Sequence, residues 1–235
     1  MIKDALKYLV ELGNKRVVQV NGQEYATGSM HLIKEPLVNP LRVQSLSGLI
    51  DYLKQNYDML DDVLIHVKDP ETVEVLSRTN FNSERNKWLV AEAFVPTFRF
   101  DSYYEAEPFN IKLQSTFVQT DDRDLVLKVV GNIREENVRQ IGDDGVSQSV
   151  SAKVGVATVA DVKVPNPVLL APYRTFTEVE QPESNFVLRM RDGGECALFA
   201  ADGGAWQLEA MDNIKDHLTK ELAELIEAGT VHIIA

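Results

Sequence analysis

Cysteine is nearly absent from this chain. Among 235 residues only Cys196 carries a thiol. No internal disulfide can form and cysteine alone cannot hold a zinc, so the chain suits a reducing compartment. Cys196 stands inside an apolar run and reads as a small buried hydrophobe. Long apolar runs are missing as well. Nothing approaches the ~18 residues that a membrane span requires. The opening Met1-Ile2-Lys3-Asp4-Ala5-Leu6 carries an acid early, so no signal peptide is expected there. The expected address is the cytoplasm, with no membrane partner. Basic charge is in deficit: 24 Lys and Arg face 36 Asp and Glu, giving a net charge of −12. Loose binding to DNA or RNA depends on neutralising phosphates with Lys and Arg, so this balance disfavours nucleic acid and leaves room only for a local basic patch.

The usual catalytic and cofactor signatures are also missing. Neither Gly-x-Gly-x-x-Gly nor Gly-x-x-x-x-Gly-Lys-Ser/Thr occurs, which removes those routes to nucleotide binding. There is no Gly-x-Ser-x-Gly elbow, and Cys196 has no base beside it, so nucleophilic hydrolysis is disfavoured. His31, His66, His217 and His232 lack the close spacing that puts two imidazoles on one face, so no metal site is expected there. The carboxylates of Asp121-Asp122-Arg123-Asp124 could grip Mg²⁺, although acids at a helix start more commonly serve capping and the macrodipole. One nuclease-like arrangement exists: Asp144 precedes Asp161-Val162-Lys163, where two carboxylates would hold Mg²⁺ and the lysine would steady a water. Short motifs of that kind arise easily by chance. No cofactor is expected, and the chain reads as more plausibly a binder than an enzyme.

What is present is a mixed series of amphipathic segments. Ile2, Leu6, Leu9, Val10 and Leu12 fall at helical spacing, with Gly13-Asn14 as the stop. Residues 16–20 and 24–33 read as strands around an Asn21-Gly22 turn. Ser45-Leu46-Ser47 opens a helix ending near Asn56, and strands are predicted over 63–67, 72–76 and 88–95. Between Glu105 and Gly131 the spacing predicts two helices, with Thr120-Asp121-Asp122 capping the second. Strands over 138–141 and 146–150 flank a Gly142-Asp143-Asp144-Gly145 turn. A period-two run over 154–164 ends at Pro165-Asn166-Pro167. Residues 186–190 are expected to pair with 196–200. A helix from Leu208 stops at Gly229, and a closing strand over 231–234 is expected to pair, with a neighbouring subunit as one candidate partner.

The densest information lies between Tyr173 and Trp206. Tyr173, Arg174, Phe176, Arg189, Asp202 and Trp206 form the candidate interface or ligand-binding set. Rings bury large areas cheaply and Arg bonds in a fixed fork, so these types are enriched where proteins meet partners. A core role for the rings, with solvated arginines, is the competing reading. Asp202-Gly203-Gly204 could offer backbone N–H groups to an anion or simply lead into a helix.

The string Leu170-Ala171-Pro172-Tyr173-Arg174-Thr175-Phe176-Thr177-Glu178-Val179-Glu180-Gln181-Pro182, followed by Phe186-Val187-Leu188-Arg189, resembles the YfdQ-like family of phage and prophage proteins. Residues 197–206 and the helix bearing Ala210, Ile214 and Leu218 extend the likeness, as does Leu113-Gln114-Ser115 with Phe117. The resemblance implies a virus-encoded protein in the bacterial cytoplasm, in a setting of replication and recombination genes. The family has no established catalytic residues, so it carries no site across.

The expected fold is α+β with a mainly antiparallel sheet and several amphipathic helices, closing on a hairpin, a helix and a strand. An N-terminal portion over 1–95 and a C-terminal portion over 96–235 are expected, within one compact unit or as two. The leading functional expectation is a non-enzymatic phage or prophage protein that binds or assembles as a homo-oligomer. The alternatives are an accessory of phage DNA recombination or replication, acting as a binder or weak Mg-dependent nuclease, and a sponge for a small nucleotide signal held by Arg174 and Arg189.

Overall fold

An arm comes first: helix α1 (Ile2–Gly13), then strands β1 (Val17–Val20), β2 (Gln23–Ala26) and β3 (His31–Leu32), paired antiparallel in that order. Asn21 at φ 53° and Gly22 at φ 80° make the tight turn between β1 and β2, a conformation an Asn-Gly pair adopts with little strain. Then come β4 (Leu41–Val43), α2 (Leu46–Gln55), β5 (Val63–Asp69), β6 (Thr72–Leu76) and β7 (Lys87–Glu92). Helices α3 (Ala106–Thr116) and α4 (Asp121–Gly131) precede the antiparallel strands β8 (Ile141–Asp143), β9 (Gln148–Lys153) and β10 (Asp161–Lys163). The chain continues through β11 (Val168–Leu170), β12 (Ser184–Arg191) and β13 (Glu195–Ala200). It ends with α5 (Trp206–Glu221), α6 (Ala223–Glu227) and β14 (Val231–Ile234). The computed structural model describes residues 2–13, 16–26, 31–131, 141–143, 148–153, 161–191 and 194–235. Residues 138–140 of the expected strand over 138–141, Asp144 and Gly145 of the expected turn, residues 146–147 of the expected strand over 146–150, and residues 154–160 of the expected run over 154–164 lie outside them.

The first core lies under a five-stranded sheet ordered β14-β5-β6-β7-β4, antiparallel through β5, β6 and β7 and parallel at both edges. Helices α2 and α5 pack on it. Leu46, Leu49, Ile50 and Leu53 fill one stripe of α2 and are all buried. Ser45 Oγ accepts from Gly48 N at 3.1 Å, and Asn56 ends the helix at φ 44°. Burying four such side chains stabilises by roughly 6–12 kcal/mol, against about 1 kcal/mol for a cap. The apolar stripe decides that a helix forms here, and Ser45 only fixes where it starts.

The closing strand belongs to its own subunit. Val231 lies opposite Val63 and Ile234 opposite His66, so β14 adds to β5 of the same chain and is not given to a neighbour. The return path through α5, packed over β5, places it there. Ile214, Leu218 and Leu222 therefore share a core with α2. Residues from both sides of position 95 build that core, so the portions 1–95 and 96–235 share one sheet. The expected single helix to Gly229 breaks at Leu222, which takes φ −108°, ψ 18° and stays buried.

A second core lies between α3, α4 and the sheet β11-β12-β13. The register of β12 and β13 runs from Phe186 opposite Ala200 to Met190 opposite Cys196. Alternation along β12 puts Ser184, Phe186, Leu188 and Met190 inward. Phe98 packs against Phe100, Tyr104 and Phe117 with ring centroids 5.0–5.3 Å apart, and Phe100 stacks on Phe186 at 5.2 Å.

Candidate functional site

Residues 171–183 cross from one core to the other, and the block of arginine and aromatics lies on that crossing. Phe176, 1% exposed, is set into the first core beside Val179. Thr175 Oγ1 donates to Pro70 O in the turn between β5 and β6. Glu178 Oε1 accepts from Ser47 N at 2.9 Å and Ser47 Oγ at 3.1 Å, which places a carboxylate at the N-terminus of α2. Gln181 is the buried clamp of the loop. Its Oε1 accepts from Arg174 N and Thr175 N, and its Nε2 donates to Phe176 O and Val179 O. Both donor hydrogens and both lone pairs are thereby used.

Arg174 is 8% exposed. Its guanidinium lies 4.0 Å from the ring centre of Trp206 and 5.8 Å from that of Phe186, a stacking that suits a partly desolvated cation. Nη2 donates to Pro182 O at 3.2 Å and Ser184 Oγ at 2.6 Å. Ser184 Oγ in turn donates to Asp202 Oδ2 at 2.5 Å. Burial pushes the Arg174 guanidinium down to about 10, and the nearby charges of Asp202 and Glu209 oppose a further fall. For Asp202, burial alone would raise the carboxyl. Hydrogen bonds from Ser184 and Gly204 N–H, with the charge of Arg174, outweigh it and hold the group below its ordinary value.

The remaining candidates are distributed around this relay. Tyr173 is half-buried, with its backbone N–H on Thr116 O at 2.9 Å. Trp206 is half-buried at the first turn of α5. Asp202 Oδ1 takes the N–H of Gly204 at 3.1 Å, so the loop before α5 turns a donor onto its own carboxylate. Arg189 sits half-buried opposite Ala197, on the other face of β12 from Ser184 and Phe186. The two arginines expected to share a phosphate are therefore separated by the sheet. Phe176 and Arg174 are packed within the chain, which leaves Tyr173, Arg189, Asp202 and Trp206 as the more open members.

The other sequence candidates fall elsewhere. Thr120 Oγ1 accepts from Arg123 N at 3.2 Å, capping α4, and Asp122 Oδ2 accepts from Leu169 N at 3.0 Å. Asp124 is held below its ordinary value, mainly by a hydrogen bond from Gln119. Among the described residues no group of three or more His, Cys, Asp or Glu is arranged to hold a metal. Asp161 and Lys163 lie on β10, and Asp144 is outside the described residues. Burial pushes the Cys196 thiol up to about 12, which makes it a poor nucleophile at neutral pH.

Two features escaped the sequence reading. A cleft of about 360 Å³ opens where the cores meet, lined by Arg174 and Trp206 together with Glu71, Thr97, Phe98 and Phe100. The density of rings from Phe94 to Phe109 was the available signal for it. The second is the arm. In α1, Ile2 is 80%, Leu6 56%, Leu9 63% and Val10 58% exposed, although all four lie on one side of the helix. Of the twenty large apolar side chains exposed among the described residues, eight fall in α1 and β1, between Ile2 and Val20, so exposed apolar surface is concentrated in the arm. No helix among the described residues is long and apolar enough to cross a membrane. No protein-family model, curated protein or solved structure matches the chain.

Proposed function

We propose that this is a non-enzymatic binding and assembly protein that works as a homo-oligomer, its copies meeting through the N-terminal arm. One observation carries the reading: an amphipathic helix and a following strand, β1, whose apolar side chains are open to water. A 12-residue helix is marginal in water on its own. Its apolar face needs cover.

A second copy is the occupant that the chemistry favours. The polar side of α1 carries Lys3 and Lys7 with Asp4, a mixed set of charges that can complement itself across two copies. A helix built for an anionic membrane surface would be rich in Lys and Arg there. Eight large apolar side chains of α1 and β1 are exposed together, the kind of clustered apolar surface that marks an interaction site. The resemblance of residues 170–206 to YfdQ-like proteins adds a phage or prophage setting. The lone buried Cys196 fits the cytoplasm of a bacterial host.

Light scattering coupled to size exclusion tests the reading. The wild type should run as a defined multiple of 26.4 kDa, and a Leu6→Asp, Leu9→Asp variant should run as the monomer with an unchanged fold by circular dichroism. A wild type that is monomeric at every concentration refutes it.

A further inference from the structure

We propose that the cleft between the two cores binds a small aromatic carboxylate, with its anionic end on Arg174 and its ring among Phe98, Phe100 and Trp206. The inference goes beyond assembly through the arm and does not depend on it.

The argument starts from an incomplete set of partners. A buried charge is costly unless paired and hydrogen-bonded. Arg174 is nine-tenths buried, yet among the described residues no carboxylate lies at ion-pair distance from it. Asp202 stands one hydroxyl away, behind Ser184. Only Nη2 donates hydrogen bonds, and the buried Nε–H has no acceptor at all. Such a group is held in place by Trp206 and Ser184 while part of its donor capacity stays unused.

The cleft that Arg174 lines is of ligand size, since small-molecule sites start near 300 Å³. Its walls choose the ligand. Phe98 and Phe100 offer flat apolar surface, and Thr97 and Tyr173 offer hydroxyls. Glu71 also lines the cleft, and Asp202 and Glu209 lie close enough to act on the guanidinium. Those acids already balance part of its charge, so a single carboxylate is tolerated and a dianionic phosphate is repelled. Carboxylates form short, strong bonds to guanidinium donors, and a ring fills the apolar part.

Thermal melting of the full chain tests this with benzoate and indole-3-carboxylate as probes, and with benzamide and inorganic phosphate at matched ionic strength. Each carboxylate should give a saturable rise in Tm of at least about 2 °C. Benzamide and phosphate should give none. Arg174→Met should abolish the rise. Because that variant loses structural bonds, Thr97→Trp provides an independent check: position 97 is exposed on the rim, so a tryptophan there should block the cleft and leave the unliganded melt intact. The arm variant Leu6→Asp, Leu9→Asp should bind as the wild type does. No saturable rise with either carboxylate, an equal rise with phosphate, or a rise that survives Thr97→Trp would overturn the proposal.

Discussion

Replacing Gln181 with methionine keeps the side-chain volume and removes four hydrogen bonds at once. The bonds are those from the backbone N–H groups of Arg174 and Thr175 and those to the carbonyls of Phe176 and Val179. At about 1 kcal/mol net for each bond the loss is about 4 kcal/mol. Buried groups left without a partner raise it further, because each keeps its desolvation cost. A domain has only about 5–15 kcal/mol of stability in all, so the effect is large. Urea unfolding followed by circular dichroism reads it as a fall in midpoint at constant slope. Gln181→Glu separates the two halves of the clamp. Its carboxylate still accepts from both N–H groups but turns an unpaired charged oxygen toward both carbonyls, so the loss should exceed the roughly 2 kcal/mol of the two missing bonds. A methionine variant that loses under about 1 kcal/mol would refute the reasoning, since it would mean that the crossing loop is held by its buried rings alone.

Asp202 should make stability depend on acid. Its folded carboxyl lies below the ordinary value, so its contribution is full above the unfolded value of about 4 and is lost as pH falls through the folded one. Asp202→Asn should therefore be less stable than the wild type at neutral pH, with the gap closing below about pH 4; a gap in urea midpoint that ignores pH would contradict this. Cys196, fully buried with its thiol raised, should resist a thiol-reactive dye in the native protein and react once urea unfolds it. Fast labelling at neutral pH without denaturant would show that the second core opens readily.

Much of the fold is legible in the sequence where local chemistry is strong. Ser45 and Asn56 bound α2 as their side chains require, and the register of β12 on β13 follows from alternation around a short turn. The destination of the C-terminal strand is not legible in this way. Val231 and Ile233 alternate as any strand would, and only the packing of α5 across β5 brings them beside Val63 and Ile65. The break at Leu222 is similarly hidden, because Leu218, Leu222, Leu225 and Ile226 keep helical spacing straight through it.

The site was legible by residue type and not by direction. Arginine and rings crowd together both where chains meet and where a chain folds back on itself, since each setting needs area with few rotamers and a cation that tolerates burial. The residues between them discriminate. Gln181 and Ser184 have short polar ends that can only serve groups close by, and both are spent on the chain's own loop and on Asp202. The arm presents the opposite case. Helices α1 and α5 carry apolar stripes of the same spacing, yet Ile214 and Leu218 are fully covered while Leu6 and Leu9 remain open. Under the assembly proposed above, identical patterning with unequal burial puts the contact between copies at the arm and not at residues 173–206.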